Sequence, residues 1–160
     1  PELGFEFDGR IAEDFKLATG TFVSVGPLRA KIVAGGDPLV QDVVIAGINR
    51  DAIGILLFPR ADACRAFADA PANAPLAQVL AHPRVREFFQ RLVDSLWATG
   101  TGSASRVARA LVLVEPPSID RGEITDKGSI NQRAVLTHRD ADVVRLYAGS
   151  DAGVILPQAA

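Results

Sequence analysis

VQDVVIAGINRDAIGILLF, residues 40–58, sets two apolar runs on either side of a polar turn. Val40–Ile48 and Ala52–Phe58 are each too short for a typical helix and rich in β-branched residues. Asn49-Arg50-Asp51 divides them and Pro59 stops the second. Short, nearly continuous apolar runs bounded by turn signals are the pattern of buried strands. This hairpin is the centre from which the rest of the chain is read.

Toward the N-terminus, Phe5 and Phe7 alternate with acids and suit a short edge strand, and Asp8-Gly9 is a turn signal. Asp14–Leu17 and Thr21–Val25 read as two strands joined across Thr19-Gly20. Gly26-Pro27 then opens a helix over Pro27–Ala34, with proline at its first position, and Gly35-Gly36 closes it. Toward the C-terminus, Arg60–Gly100 is helical, broken by a proline-bounded linker at Pro71–Pro75. Val85, Phe88, Phe89, Leu92, Val93, Leu96 and Trp97 recur at helical spacing and form one apolar face, which reads as core. Thr99–Ser105 (TGTGSAS) is a connection; no Gly-Lys-Ser/Thr follows its glycines, so it is not a phosphate loop. Val107–Val114 is a third buried strand, ended by Pro116-Pro117.

After that strand comes GEITDKGSINQRAVL, residues 122–136. Lys127 stands between an acid and a glycine, and Ser129 with Gln132 three residues on forms a capping-box pattern for a helix over Asn131–Tyr147, with a break near His138-Arg139-Asp140. A lysine ahead of a helix start favours one anionic group. Ala148–Ala160 reads as a loop. The expected architecture is α+β: a small N-terminal hairpin lobe, then a three-stranded sheet flanked by helices.

Bulk composition narrows the function classes. With 160 residues and 48% hydrophobic content, one domain with an ordinary core is expected. Its 17 basic and 19 acidic residues give a formal net charge of −2, which supplies no footprint for nucleic acid or anionic lipid. No run of about 18 apolar residues is present to span a membrane. The single cysteine, Cys64, fits a reducing, cytoplasmic setting and lies in an alanine-rich helical pattern as a small buried residue. His82 and His138 have no neighbours at metal-ligand spacing, so no metal is assigned. Ser103 and Ser105 lack a partner for nucleophile chemistry. No methionine begins the chain and the opening residues are acidic, so the sequence reads as a piece of something longer without a signal peptide.

Two stretches together resemble a known superfamily. Asp8–Ser24, DGRIAEDFKLATGTFVS, resembles the hinge and following hairpin of the acyl-adenylating enzymes, which include acyl-CoA synthetases, adenylation domains and luciferases. Gly9, Arg10, Glu13, Lys16, Gly20, Phe22 and Val23 meet the pattern. Residues 39–59 resemble the paired strands that follow it, and GEITDKGSINQR falls where that superfamily keeps its final lysine motif. Within the superfamily the pair looks most like the feruloyl-CoA synthases.

The resemblance implies a C-terminal swivelling domain over residues 16–160, with 1–15 as hinge and linker, acting beside an N-terminal adenylation domain. It implies ATP (with Mg2+) and CoA as substrates, bound mainly by that other domain, and an aromatic carboxylic acid. Arg10 would bond the ribose hydroxyls, Ala12, Glu13 and Asp14 would form the hinge, and Lys16 and Gly20 would belong to the hairpin at the CoA tunnel. Ala12 departs from the lysine or aspartate often found at its offset. Lys127 would be the catalytic lysine, the alternatives being that Lys16 serves or that no lysine does. Counted from Thr125, the family's lysine position holds Ser129, and Lys127 lies two residues earlier. Fatty-acyl or carrier-protein-loading enzymes, and a non-catalytic docking module, are the competing readings.

Overall fold

The structure is a computed structural model that describes residues 13–100, 102, 105–148 and 153–158. The Phe5–Phe7 strand, the Asp8-Gly9 turn, Arg10 and Ala12 lie outside these residues. A two-stranded antiparallel hairpin comes first: β1 (Phe15–Lys16) pairs with β2 (Phe22–Val23). Helix α1 (Val25–Gly35) follows, starting two residues before the proline that the sequence suggested as its first position. Proline at the third position is tolerated, because first-turn N–H groups have no intrahelical partner in any case. The Val25 N–H is instead taken by the Asp14 carboxylate at 2.8 Å, a cap supplied from outside the helix.

Residues 40–58 form the expected ladder. Strands β3 (Val40–Ala46) and β4 (Ile53–Pro59) pair antiparallel, and Asn49 in the turn takes a left-handed φ of 62°. Helices α2 (Ala61–Phe67), α3 (Leu76–Ala81) and α4 (Pro83–Thr99) carry the chain across to β5 (Val107–Val112), which pairs parallel to β4. Pro83 holds the first position of α4, and the His82 ring Nδ1 accepts the Arg84 N–H at 3.1 Å as its cap. The long apolar face predicted for this helix is its buried face, with Val85, Phe89, Leu92, Val93 and Leu96 inside.

Among the described residues the sheet has four strands rather than three. The added one, β6 (Val154–Ile155), pairs antiparallel with β5 inside the tail that the sequence reads as loop. Two residues are too few to show a periodicity, so tertiary contact alone makes this strand. Gln90 Nε2 donates to the Leu156 carbonyl at 2.7 Å, and the Gln158 N–H donates to Asp94 at 2.8 Å, which ties the tail to α4.

Neighbouring residues of β3 and β4 enter two different cores. Val43, Ile45, Ile53, Ile55 and Leu57 pack with α1 to α4 on one face. Val44, Ala46, Leu56 and Phe58 pack on the other face with α5 (Gln132–His138) and α6 (Asp140–Ala148). Both faces are covered, which is why these strands read as unbroken apolar runs instead of alternating ones. Burying each such side chain contributes about 1.5–3 kcal/mol. Cys64 is buried in the first core, and burial pushes its thiol up to about 11.

Gly54 in β4 lies directly beneath α6. A Cβ there would stand 2.6 Å from Leu146 Cδ2, and 3.1 Å from both Leu146 Cγ and Arg109 Cγ. Gly54→Ala is therefore expected to destabilise the domain by about 1–3 kcal/mol through overpacking, read as a lowered urea midpoint with an unchanged m-value.

Candidate functional site

The hairpin lobe and the lysine loop attach to opposite ends of the β3–β4 ladder. Phe15 and Leu17 pack against Gly47, where an added Cβ would meet them at 2.9 and 2.8 Å, and the Ala18 N–H donates to the Arg50 carbonyl at 2.8 Å. These contacts fasten the lobe beside the β3–β4 turn. Lys16 is exposed on β1, and Gly20 makes the tip with φ 89° and open space where a Cβ would stand. Phe22 presents an exposed ring on β2. Glu13 lies 3.8 Å from Arg29 Nη1, and Arg29 Nη2 donates to Asp42 at 3.0 Å. Glu13 and Asp14 are thus bound to α1 and, through Arg29, to β3.

The lysine loop is rooted at the other end, over Phe58. Ile124 and Ile130 face each other in an antiparallel bridge. Above that neck the Thr125 N–H donates to the Ser129 carbonyl at 2.9 Å, and the Ser129 N–H returns to Thr125 Oγ1 at 3.0 Å. The Gly128 N–H donates to the Thr125 carbonyl at 2.9 Å, with Gly128 at φ 87°. Asp126-Lys127-Gly128 is left as an exposed tip. Lys127 has neither a hydrogen bond nor an ion pair to another described residue. Ser129, which occupies the family's usual lysine position, is held in the neck by both its backbone groups.

The expected Ser129–Gln132 capping box does not form. Asn131 is the cap, accepting the Ala134 N–H at 3.1 Å, and Gln132 begins the helix. The Gln132 side chain is buried, and its Oε1 accepts the Ile45 N–H at 2.8 Å. Among the described strands β3 lies at the sheet edge, so this bond supplies an acceptor that no described strand gives. Lys127 accordingly belongs to a small hairpin and is separated from the helix start by the bridge. The helix break near residue 139 is present, and α5 and α6 meet there.

That break holds the pair on which the loop rests. Arg139 Nε donates to Glu123 Oε2 at 2.9 Å and Nη2 to Glu123 Oε1 at 3.0 Å, with side chains 8% and 0% exposed. Nη1 reaches the Glu115 carbonyl at 3.0 Å and Nη2 the Pro116 carbonyl at 2.8 Å. The guanidinium carbon lies 5.0 Å from the centre of the Phe58 ring. The Ser118 N–H donates to Glu123 Oε1 at 2.9 Å, and the Glu123 carbonyl accepts the Asn131 N–H at 2.8 Å. Sequence reasoning passed over both residues. Their separation of 16 residues follows no helical or strand period, and the one local signal was a charged residue, Arg139, at a helix break.

The model of the AMP-binding enzyme C-terminal domain family matches residues 14–151. This chain belongs to that family. No curated protein matches it. Among solved structures, the adenylation domain of the carboxylate reductase from Mycobacterium chelonae superposes with a TM-score of 0.59 at 22% identity, covering 87% of this chain and 20% of that one. The A-PCP didomain of a carboxylic acid reductase from Segniliparus rugosus, in complex with AMP, gives 0.56 at 22% identity, with 85% and 17% covered. The A domain of the Segniliparus rugosus enzyme, with AMP and a co-purified carboxylic acid, gives 0.57 at 20% identity, with 87% and 20% covered. At these identities the likeness is one of fold, and the chain spans about a fifth of each neighbour's length.

In this member of the family the Arg139 guanidinium holds the Glu123 carboxyl below its ordinary 4.5, against the opposing effect of burial. The unfolded chain therefore takes up this proton first, and the stabilisation is present above about pH 4.5 and lost as pH falls through the folded-state value. Glu123→Gln removes the titration. Its melting temperature is expected to be below wild type at neutral pH, with the gap narrowing as the pH falls from about 5 to 3. A gap that does not narrow would remove the ion pair from the account of acid stability.

Proposed function

We propose that this chain is the small swivelling domain of an ATP-dependent acid–CoA ligase of the feruloyl-CoA synthase type, working beside an N-terminal domain that binds ATP, Mg2+ and the acid. The observation that carries the proposal is Lys127: an exposed ammonium without an anionic partner among the described residues, on a tip whose base is buried and hydrogen-bonded. In the first half-reaction a carboxylate oxygen of the acid bonds to the α-phosphorus of ATP, and pyrophosphate departs with the electron pair. Lys127 stabilises the charge as it redistributes between carboxylate and phosphate, acting as an electrostatic donor and not as a base. In the second half-reaction the CoA sulfur attacks the acyl carbonyl, the thiol proton is released, and AMP leaves.

Attachment of the hairpin and the lysine loop to opposite ends of β3–β4 supports alternation between the two steps. The five residue steps from Ile53 to Phe58 amount to about 17 Å at ~3.3 Å each. The hairpin, with Lys16 and Gly20, would serve the thiol step, and Arg10 the ribose hydroxyls, where a planar multi-donor guanidinium suits a diol. Because Glu13 and Asp14 bond to the body of the domain, we place the pivot at or ahead of Glu13. A second reading, transfer of the acyl group to a carrier protein, is favoured by the A-PCP didomain among the fold neighbours. Fatty acids as substrates are a further variant of the same chassis.

The test is Lys127→Ala in the full-length parent, with the half-reactions assayed separately. Acid-dependent pyrophosphate release is expected to fall about 100-fold or more, while CoA-dependent consumption of supplied acyl-adenylate is largely spared. Unchanged pyrophosphate release would remove Lys127 from the centre and turn attention to Lys16. Turnover of the adenylate by a carrier-bound thiol, but not by CoA, would favour the second reading.

A further inference from the structure

We propose that Arg139, gripped by Glu123, is a positioning residue for the adenylation step, acting by fixing the root of the Lys127 tip. The inference rests on the reading of Lys127 given above. A guanidinium offers five N–H donors. Here Nε, Nη1 and both protons of Nη2 are committed to protein oxygens, and the group is 8% exposed with its central carbon 5.0 Å from the Phe58 ring centre. Almost nothing is left to meet a substrate. Its hydrogen bonds tie one chain segment together at three places: the exit of β5 through the Glu115 and Pro116 carbonyls, the middle through Glu123, and the α5–α6 junction from which it projects.

Glu123 is the residue immediately before the Ile124–Ile130 bridge. Its own N–H and C=O bond to the Ser118 carbonyl at 2.9 Å and the Asn131 N–H at 2.8 Å, and its carboxylate accepts the Ser118 N–H. The strand of the loop that enters the neck and the residue that leaves it are therefore held to the same glutamate, which is held to the same arginine. Gln132 Oε1 fastens the exit a second time, to the sheet edge at Ile45. Only the tip is left free, and its lysine starts from a fixed base. A bidentate guanidinium–carboxylate pair fixes angle as well as distance, which an ammonium cannot do.

The experiment is Arg139→Lys in the full-length enzyme, which keeps the charge and loses the fork. The kcat of pyrophosphate release is expected to fall about 100-fold, the scale of a 1 Å misplacement of a reacting group. KM for ATP and acid should change little, and consumption of supplied acyl-adenylate by CoA should be spared. The double variant Arg139→Lys/Lys127→Ala is expected to release pyrophosphate no more slowly than Lys127→Ala alone, because the arginine acts only through the lysine. Glu123→Gln, which keeps the shape and one acceptor, should give a smaller loss confined to the same half-reaction. Circular dichroism and melting curves accompany each variant.

Equal loss in both half-reactions, multiplicative losses in the double variant, or unfolding of both single variants at the assay temperature would show a merely structural pair and overturn the proposal. Unchanged pyrophosphate release in Lys127→Ala would overturn it together with the assignment of Lys127. Failure of CoA as acceptor would overturn only the ligase reading, since pyrophosphate release is read without a thiol.

Discussion

A sheet with no solvent-facing side constrains everything else in this domain. Val43 and Val44, or Leu57 and Phe58, are adjacent in sequence, yet they enter cores on opposite faces. Neither face can be left in water, because each presents several large apolar side chains whose exposure would cost about 1.5–3 kcal/mol apiece. The chain must therefore supply a helical layer to each side. Residues 61–99, with α1, cover one face, and α5 and α6 cover the other. The second layer is reached only after β5, and the segment that crosses to it, residues 113–131, is the one that carries Lys127.

That crossing explains a charged pair in an otherwise apolar place. A buried ion pair is a weak source of stability, since taking both charges out of water offsets most of their attraction. Removing one partner is another matter: the remaining charge is stranded, at about 3–5 kcal/mol. Glu123–Arg139 thus acts less as glue than as a condition on geometry. The long segment between β5 and α5 has no strand ladder of its own beyond a single bridge, and its backbone groups need partners. The arginine provides donors for two carbonyls, and the glutamate an acceptor for one N–H. A loop without regular structure thus has its backbone held up to the exposed tip.

The two ends of the β3–β4 ladder carry different equipment. At the turn end the hairpin lobe rests against Gly47 with an exposed aromatic ring and an exposed lysine. At the other end stands the lysine loop, whose root is held by Arg139 over the Phe58 ring. Both are small exposed projections attached to the same pair of strands. That shared attachment is the ground on which a swivel of the domain is proposed.

Much of this was legible in the sequence because it rests on local or periodic signals. The apolar runs of residues 40–58, the helical face from Val85 to Trp97, the glycine-bearing hairpin and the break at Arg139 all announce themselves within a few residues of one another. So does the ordered pair of motifs at 8–24 and 122–136, which pointed to the AMP-binding enzymes whose C-terminal domain family the chain matches. Tertiary structure alone decided the rest. β6 exists because β5 offers an open edge and α4 offers Gln90 and Asp94 to hold the tail. Gln132 looked like half of a capping box, yet a strand-edge N–H 87 residues away was the better partner for a buried amide. Glu123 and Arg139 meet only because the loop folds back on the α5–α6 junction. Sequence fixes what a residue can donate, accept or bury within its own turn or strand; which distant group answers it is settled only when the layers close.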